Sequence, residues 1–408
     1  MTRPVSRHAI HPYYGARNMP RGVPQAALDH NDLGNDLRRA GRFDEAEQHY
    51  RVALQHYDES AEIHANLADT LESLHRSDEA QSAYRRALEL KPELDIARFN
   101  LALILLAHGH YAQAWPLYEA RGPLFGEHGT LPFPKWAGEA LTGKSLLLLP
   151  EQGYGDAIQF VRYAPLLKRL GVAQLTLACK PELGPLLRTV EGIDTVVTDP
   201  RELRVHDYWE SLLSLPMHFG TTPQTIPAHI PYLGVFAQRM DYWKARLPQQ
   251  GIRVGLVWKG NPEHHHDAAR SLRHFAELEP LLAVPGTSFV SLQKGPAEQE
   301  ALPYSERGRV LCLGEQLRDF ADTAALVAQL NLVVTVDTAV AHVAGALGVA
   351  CWLMLPHSGV DWRWHRSGAQ SPWYPKDMYL FRQHAGGGWP PLIDTVAKTL
   401  DEIVRARA

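Results

Sequence analysis

Small and apolar residues recur every 34 residues in the first third of the chain. The repeated positions are Ala46, Ala80 and Ala114, Tyr50, Tyr84 and Tyr118, and Leu37, Leu71 and Leu105. Small residues at fixed positions allow antiparallel helices to approach closely, and each tyrosine fills the space between helix pairs. The pattern predicts stacked helix pairs over residues 26–122.

The 34-residue pattern resembles the tetratricopeptide repeat, with about three units. The third unit loses the pattern after Ala114, where Trp115 and Pro116 follow, so we expect it to cap the stack. A plain helical bundle is the alternative. Repeats of this kind usually bind another protein or another part of their own chain.

A different pattern follows Gly122, where short apolar runs bounded by glycine and proline alternate with amphipathic segments. This alternation is typical of parallel sheets with ligands at the carboxyl ends of their strands. Predicted strands cover residues 145–149, 174–179, 195–198, 253–259, 288–293, 310–313, 332–336 and 349–355. Predicted helices cover residues 157–170, 181–190, 275–283, 320–330, 339–347 and 391–407. Two such series, separated by residues 231–251, predict two Rossmann-like domains that face a cleft.

The predicted fold class is therefore α plus α/β, a helical repeat module followed by two Rossmann-like domains. The expected segments are a flexible basic arm (1–25), the repeats (26–122), a linker (123–143), a first α/β domain (144–250), a second α/β domain (251–385) and a C-terminal helix (386–408).

Charge is distributed unevenly along the 408 residues. The arm carries +4, the repeat block −7 and the remainder −1, which together give the net charge of −4. This balance excludes a generally basic nucleic-acid binder. No apolar run is long enough to span a membrane, and the N-terminus lacks the apolar core of a signal peptide. Three widely spaced cysteines form no disulfide framework, so we expect a cytoplasmic protein.

Asp156 lies in the first candidate loop, Glu151-Gln152-Gly153-Tyr154-Gly155-Asp156, between a predicted strand and a helix. Glycines allow the backbone to approach a ligand, and a helix N-terminus offers free N–H groups. Asp156 is either an N-cap of this helix or a catalytic base, and the two roles are compatible.

The second candidate loop covers residues 259–271. Lys259 and Arg270 are placed to neutralise phosphates. The run His264–His266 invites a metal interpretation, but adjacent residues rarely reach one ion, so a solvated loop is favoured and no metal site is predicted.

Asp337, Thr338 and Ala339 begin a third candidate element, a helix rich in small residues whose N-terminus suits phosphate oxygens. His342 follows Thr338 by one turn and is either a phosphate-side residue or a satisfied interior histidine. Trp362 and Trp364 either stack on a base or sugar or seal the domain edge. No GxGxxG follows the first predicted strand and no P-loop motif occurs, so these nucleotide-binding classes are not supported.

Several ordered motifs resemble those of bacterial tetratricopeptide-repeat glycosyltransferases. They are LLLLPEQGYGDAIQFVRYAPLLK, GLVWKGN, RSLRHF, VSLQKG, LRDFADTAALVAQLNLVVTVDTAVAHVAGALG and DWRW. The catalytic half of such enzymes is related to the ADP-heptose:lipopolysaccharide heptosyltransferase family, which has the two-domain GT-B architecture. The resemblance covers about residues 26–385.

The resemblance implies a role for each candidate position. Asp156 matches the aspartate that acts as base on the acceptor hydroxyl. The expected nucleotide-sugar and phosphate contacts are Gln152, Gly153, Gly155, Lys259, Asn261, Arg270, Ser271, Gln293, Asp337, Thr338, Ala339 and His342. No cofactor is expected, because the nucleotide sugar, of unknown identity, is a substrate. A DxD carboxylate pair is missing from the sequence, which favours a metal-independent inverting transfer.

The repeats favour a protein acceptor, and flagellins and autotransporter adhesins are acceptors of related systems. Nucleic acid is not an expected partner. Two alternatives stay open: a binding scaffold with an inactive transferase-like half, and an enzyme acting on lipid-linked glycan. Iron-binding adhesin heptosyltransferases carry a cluster of cysteines near the C-terminus. The C-terminal half of this sequence has only Cys312 and Cys351, so the chain is not assigned to that group.

Overall fold

The computed structural model describes residues 14–15, 19, 22–125, 131–263 and 267–407. The predicted basic arm and linker lie partly outside these ranges, and the His264–His266 run lies wholly outside them. The described residues divide into two compact units, one ending before and one beginning after residues 126–130.

The first unit is helical. Its helices are α1 (Gln25–Arg39), α2 (Phe43–His56), α3 (Ala61–Ser73), α4 (Ser77–Leu90), α5 (Asp95–Ala107), α6 (Tyr111–Tyr118) and α7 (Arg121–Phe125). They pack as the pairs α1–α2, α3–α4 and α5–α6, one pair for each predicted repeat unit.

The 34-residue register explains how these pairs pack. Ala46, Ala80 and Ala114 are fully buried, and the three tyrosines of the register are almost fully buried. At Gly34 a Cβ atom would lie 2.7 Å from the ring of Tyr50, so this position accepts no larger residue without movement. The helix α6 has eight residues and contains Pro116, in agreement with the predicted loss of the pattern in the third unit.

The second unit is α/β. Its strands are β1 (Ser145–Leu149), β2 (Gln174–Ala178), β3 (Thr195–Val197), β4 (Tyr208–Ser211), β5 (Ile252–Val257), β6 (Thr287–Ser291), β7 (Leu311–Cys312), β8 (Leu332–Val336), β9 (Cys351–Leu355) and β10 (Met378–Arg382). Its helices are α8 (Tyr154–Phe160), α9 (Ala164–Arg169), α10 (Gly184–Leu187), α11 (Leu215–His218), α12 (Ala237–Lys244), α13 (Asp267–Arg270), α14 (Glu279–Leu282), α15 (Leu302–Ser305), α16 (Phe320–Val327), α17 (Ala339–Leu347) and α18 (Pro390–Arg407).

Two parallel sheets result. The first has the strand order β3-β2-β1-β4 and the second has the order β10-β9-β8-β5-β6-β7. In register, Leu148 of β1 pairs with Leu177 and Glu210, and Leu256 of β5 pairs with Ser291 and Val334. In each parallel sheet the strand order reverses beside the first strand, between β1 and β4 and between β5 and β8. Ligands of open α/β sheets bind at such switch points. The predicted fold class is confirmed.

Several boundaries differ from those predicted. The predicted helix 157–170 begins three residues earlier, at Tyr154, and is divided by a 3₁₀ turn at Val161–Tyr163. The predicted helix 181–190 shrinks to Gly184–Leu187. The strands β4 and β10 have no counterpart among the predicted elements.

The predicted linker is in part a piece of the first sheet. Lys135 forms a parallel bridge with Trp209, and the Trp136 backbone N–H donates to the Trp209 carbonyl at 2.8 Å. Helix α12 lies within residues 231–251, the segment that separates the two predicted series, and it packs on α16 beside the second sheet. Its Trp243 is fully buried and donates from its indole N–H to Asp322.

The second sheet carries an extensive apolar core. Alternate residues of β5, β8 and β9 share one buried apolar cluster with Ile393, Val396 and Leu400 of the C-terminal helix. This helix covers Pro390–Arg407, within one residue of the predicted range. Among the described residues no helix is long and apolar enough to cross a membrane.

Candidate functional site

The loop after β1 places Asp156 inside helix α8. Gly153 stands at the N-cap position, and its backbone N–H donates to Asp156 Oδ2 at 2.7 Å. Asp156 is thus the third residue of the helix, and the interpretation of Asp156 as the N-cap is wrong. Its carboxylate nevertheless satisfies one of the N-terminal N–H groups that a helix leaves open.

The second carboxylate oxygen of Asp156 faces the other half of the unit. Oδ1 accepts a hydrogen bond from Arg363 Nη2 at 2.7 Å, and both side chains are almost fully buried. Arg363 follows β9, so this ion pair joins the loop at the switch point of the first sheet to a segment of the second sheet. A buried ion pair of this kind is costly to break from either side.

Arg363 is the centre of a larger polar network. Its Nη1 donates to Asp361 Oδ1 at 3.0 Å, and its Nε donates to Gln159 Oε1 at 2.6 Å. The guanidinium also lies 4.4 Å from the ring centre of Trp362 and 5.3 Å from that of Phe160. These contacts fix the guanidinium, and through it the Asp156 carboxylate, in one orientation.

Trp362 and Trp364 are buried around this network. Trp364 stacks on His342 with ring centres 5.2 Å apart, and Trp362 meets Trp373 edge to face at 6.0 Å. Arg382 at the end of β10 donates to the Trp364 carbonyl at 2.6 Å and so holds the segment from the side. Both indoles face protein rings, an arrangement that favours the sealing alternative over stacking on a sugar or base.

The second candidate loop, residues 259–271, begins after β5 at the switch point of the second sheet. Gln293, at the end of β6, accepts on Oε1 from the backbone N–H groups of Trp258 at 3.1 Å and Lys259 at 3.0 Å. Its Nε2 donates back to the Lys259 carbonyl at 3.2 Å. Ser271 accepts on its hydroxyl from the Gly260 backbone at 2.9 Å. The structure therefore brings Lys259, Ser271 and Gln293 together in one hydrogen-bonded loop.

The two cationic side chains of this loop have carboxylate partners. Lys259 Nζ pairs with Glu300, and Arg270 Nε pairs with Asp267 Oδ1 at 3.2 Å. Asn261 uses its side-chain oxygen to accept from the Glu263 backbone at 3.1 Å, which shapes the turn. In the structure these groups order the loop, and a bound anion would compete with Glu300 and Asp267 for the two cations.

Helix α17 begins beside this loop, at the carboxyl end of β8. Thr338 is its N-cap residue, but the Thr338 side chain makes no cap bond and its hydroxyl lies 3.0 Å from the hydroxyl of Thr335. Thr338, Ala339 and Val340 are half-buried, while Asp337 is buried. The first N–H groups of this nine-residue helix are thus not capped by the Thr338 side chain.

His342 lies in the interior of the unit. Its Nδ1 is 3.0 Å from the hydroxyl of Tyr374, and its ring is fully buried. This position matches the interior-histidine alternative. One turn further, a Cβ atom on Gly345 would lie 2.4 Å from the Tyr374 ring, so Gly345 is required for this close approach.

The helices α8 and α17 pack against each other, and each follows a strand that borders a switch point. Arg162 reinforces the contact, because its Nη1 donates to the Trp373 carbonyl at 2.9 Å and its Nη2 donates to the Tyr232 hydroxyl at 3.0 Å. The loop that carries Asp156 and the helix α17 are therefore neighbours in the folded unit.

Several buried polar groups near these loops lack hydrogen-bond partners within the described residues. Both amide atoms of Gln152 are buried without a hydrogen bond, as are Nε2 of Gln159 and the indole nitrogen of Trp364. Buried polar groups in folded proteins are usually paired, so an unpaired group indicates a place for water or ligand atoms. Gln152 belongs to the predicted ligand set.

Tyr154 is the first residue of α8. Burial, followed by the charge and hydrogen bond of Glu182, raises the pKa of the Tyr154 phenol to about 12. The phenol is therefore neutral at physiological pH and can only donate or accept a hydrogen bond there. Its ring packs on Phe320 with centres 4.9 Å apart and adds a further contact between the two sheets.

A cavity of about 250 Å³ lies elsewhere in the α/β unit. Its lining includes Arg162, Glu191, His229 and Tyr232, and none of the predicted site residues. The parts of the chain that the structure describes contain no group of three or more histidine, cysteine or acidic residues that could hold a metal ion. The three cysteines are unpaired with one another.

Arg363, Gln159 and Arg162 were missed as site residues by the sequence analysis. A weak signal exists for two of them: Gln159 follows Asp156 by three residues on the same helix face, and Arg363 is a charge between two tryptophans. Glu210 was also missed. It is buried at the end of β4, where Oε2 lies 2.7 Å from His218 Nε2.

Comparisons with known proteins agree with this architecture. Residues 24–93 and 66–122 match profiles of the tetratricopeptide repeat, which confirms the repeat prediction. Over 335 residues the chain is 31% identical to Protein FlbA of Caulobacter vibrioides, a match that covers 76% of this chain and 55% of that protein. The chain thus spans about half the length of this curated relative.

Two solved structures are similar in fold. One is a glycosyl transferase of family 9 from Veillonella parvula, at 12% identity and a TM-score of 0.49, covering 66% of this chain and 99% of that chain. The other is ADP-heptose lps heptosyltransferase II of E. coli, at 16% identity and a TM-score of 0.47, covering 64% of this chain and 98% of that chain.

Proposed function

We propose that this chain is a glycosyltransferase that moves a sugar from a nucleotide-sugar donor to a hydroxyl group of a protein. One observation carries the proposal: the loop with Asp156 and the loop and helix predicted to hold the donor lie at the switch points of two parallel sheets, and α8 packs on α17. Ligands of such sheets bind at switch points.

In the proposed reaction the acceptor hydroxyl attacks the anomeric carbon from the face opposite the nucleotide. The new carbon–oxygen bond forms as the bond to the diphosphate breaks, and the hydroxyl proton passes to a carboxylate oxygen of Asp156. In the folded chain the carboxylate oxygens of Asp156 accept hydrogen bonds from the Gly153 backbone and from Arg363, which fix the position of the carboxylate. Arg363 orients the carboxylate for this task.

The departing nucleoside diphosphate gathers negative charge, which groups at the switch points of both sheets can stabilise. The N–H groups at the start of α17 and the amide of Gln152 supply donors, and Lys259 supplies a positive charge at the adjacent strand end. The helix N–H groups need little rearrangement during the reaction, whereas Lys259 would exchange its pairing with Glu300 for the diphosphate. The proposed stabilisation needs no metal ion.

Calorimetric titration of the full chain with a panel of nucleotide sugars and bare nucleotides tests the proposal. We expect one nucleotide sugar to bind, and Lys259→Met to weaken that binding by about tenfold because a charge-assisted contact is lost. Lys398→Met, an exposed change of the same charge on α18, is the matched control and should leave the affinity unchanged.

A second function is favoured by one observation. Lys259 and Arg270 pair with Glu300 and Asp267, so their charges are already compensated in the folded loop. In a binding scaffold with an inactive transferase-like half, these two ion pairs would persist because no nucleotide sugar would displace them. The same titration separates the two functions, because no binding to any member of the panel would support the scaffold and contradict the transferase.

A further inference from the structure

The cavity of about 250 Å³ in the α/β unit lies beside residues 227–234, a segment that precedes α12. Its apolar wall is formed by Pro165, Val190, Pro227, Pro231 and Leu233. Its polar side chains are those of Arg162, Thr189, Glu191, His229 and Tyr232. The proposed sugar transfer makes no use of this cavity.

Hydrogen bonds hold the segment 227–234 against the rest of the unit. The Pro227 carbonyl accepts from Arg162 Nη1 at 3.4 Å, and the Gly234 backbone N–H donates to the Thr189 hydroxyl at 2.9 Å. A Cβ atom on Gly234 would lie 3.0 Å from Cβ of Thr189, so the segment approaches this residue closely. The cavity is therefore formed by the folded chain itself, as is usual for small-molecule sites.

Arg162 brings a buried positive charge to the wall of this cavity. The residue is 3% exposed, and its guanidinium donates to neutral acceptors. Nε donates to the Gln159 carbonyl at 2.9 Å, and Nη1 donates to the carbonyls of Trp373 at 2.9 Å and Pro227 at 3.4 Å. Nη2 donates to the Tyr232 hydroxyl at 3.0 Å. Within the described residues no carboxylate pairs with this cation, although buried charges in proteins are usually paired.

The aromatic rings around the guanidinium reduce the cost of burying it without neutralising it. Its central carbon lies 4.7 Å from the ring centre of Tyr232 and 4.8 Å from that of Tyr374. Burial raises the pKa of the Tyr374 phenol well above its usual range, so this phenol carries no negative charge at physiological pH. The positive charge of Arg162 is thus left for a ligand to compensate.

The hydrogen-bond donors that remain on Arg162 limit the kind of anion that fits. A guanidinium has five N–H groups, and the acceptors described above use all of them except one on Nη2. One N–H and one positive charge suit a carboxylate oxygen, whereas a phosphate group needs several donors. The exposed Glu191 carboxylate on the same wall disfavours ligands with more than one negative charge.

We propose that the cavity beside Arg162 is a binding site for a small organic monocarboxylate with an apolar body. The carboxylate contacts the Arg162 guanidinium, and the body of the ligand packs against Val190 and Leu233. Binding compensates the buried charge and removes apolar surface of the ligand from water. The site lies beyond the proposed transferase function and needs no nucleotide sugar.

Fluorine NMR of the full chain titrated with para-fluorobenzoate at constant ionic strength tests the proposal. We expect saturable binding, and binding at least about tenfold weaker for para-fluorobenzamide, which has a similar shape and no charge. Arg162→Met should abolish binding of para-fluorobenzoate, with the fold checked by circular dichroism. Equal binding of the two probes, or displacement of para-fluorobenzoate by an equal concentration of inorganic phosphate, would overturn the proposal.

Two variants at exposed positions of the wall keep the test decisive if Arg162→Met fails to fold. Glu191→Gln removes a negative charge and should tighten binding of para-fluorobenzoate at least about twofold, while His229→Glu adds one and should weaken it at least about threefold. Glu402→Gln, an exposed change on α18, is the matched control and should leave the affinity unchanged. If both wall variants bind like the control, the carboxylate does not occupy this cavity and the proposal is wrong. Failure of sugar transfer would leave these results unchanged, so the two proposals fail separately.

Discussion

At the scale of single residues, the pair of Asp156 and Arg363 joins the two halves of the α/β unit. Glycines and an acidic residue after a predicted strand indicate that Asp156 lies at the start of a helix. Its pairing with Arg363 could not be predicted, since the two residues lie 207 positions apart and no local pattern encodes such a contact. Long-range polar pairs of this kind come from the tertiary fold alone.

Arg363 should be important for stability as well as for the site. Replacing it by methionine leaves the buried carboxylates of Asp156 and Asp361 without their shared cation, which should cost about 3–5 kcal/mol in urea unfolding. Arg201→Met is the matched control, because Arg201 also pairs with an aspartate two residues earlier but is largely exposed. We expect no measurable change there. Equal effects of the two substitutions would contradict the network.

The amide of Gln152 gives a second prediction at this scale. Because its buried atoms lack partners in the described protein, Gln152→Met should stabilise the ligand-free chain by about 1 kcal/mol and lower its affinity for the nucleotide sugar about tenfold. Thermal unfolding and calorimetry measure the two effects. A destabilised variant with unchanged affinity would show that the amide has a structural role.

At the scale of elements, strong periodicity was the reliable guide. The 34-residue register, the helix at Ala339–Leu347 and the C-terminal helix were predicted almost to the residue. Strands β4 and β10 were missed, since Glu210 interrupts the apolar run of one and Tyr379 is exposed in the other. Their pairing partners β1 and β9 are distant in sequence, so only the sheet identifies them.

Asp207 shows how one such strand is held in place. The Ser145 backbone N–H and hydroxyl, followed by Lys144, hydrogen-bond its carboxylate and lower the pKa of Asp207 to about 2. The folded pKa lies below the unfolded value of about 4, so this stabilisation is complete above pH 4 and is lost as the pH falls towards 2.

The expected result is an acid-unfolding curve that becomes less steep between pH 4 and 2 when Asp207 is replaced by asparagine. Circular dichroism as a function of pH measures it. Asp394→Asn, at an exposed position of α18, is the control and should follow the parent curve. If the parent, Asp207→Asn and Asp394→Asn chains gave identical curves, Asp207 would not stabilise the pairing of β4 with β1.

At the scale of the whole molecule, the fold class was predictable and the boundaries were not. Alternation of strands and helices indicated two parallel sheets, and both formed. The strand and helix pattern did not indicate where α12 packs, because Trp243 contacts Asp322, 79 residues away in the sequence. Part of the predicted linker also joins the first sheet, through the parallel bridge between Lys135 and Trp209. Such docking depends on surfaces that exist only after folding.

The central claim is that Asp156 acts as the base of a glycosyl transfer, and the turnover of Asp156→Asn tests it most directly. With the nucleotide sugar selected by calorimetry, transfer to protein or water should fall by at least about 100-fold, while donor affinity stays within about threefold. Asp361→Asn removes the other carboxylate that pairs with Arg363 and should keep turnover within about tenfold of the parent. Turnover like that of the parent in Asp156→Asn, or equal losses in both variants, would contradict the account.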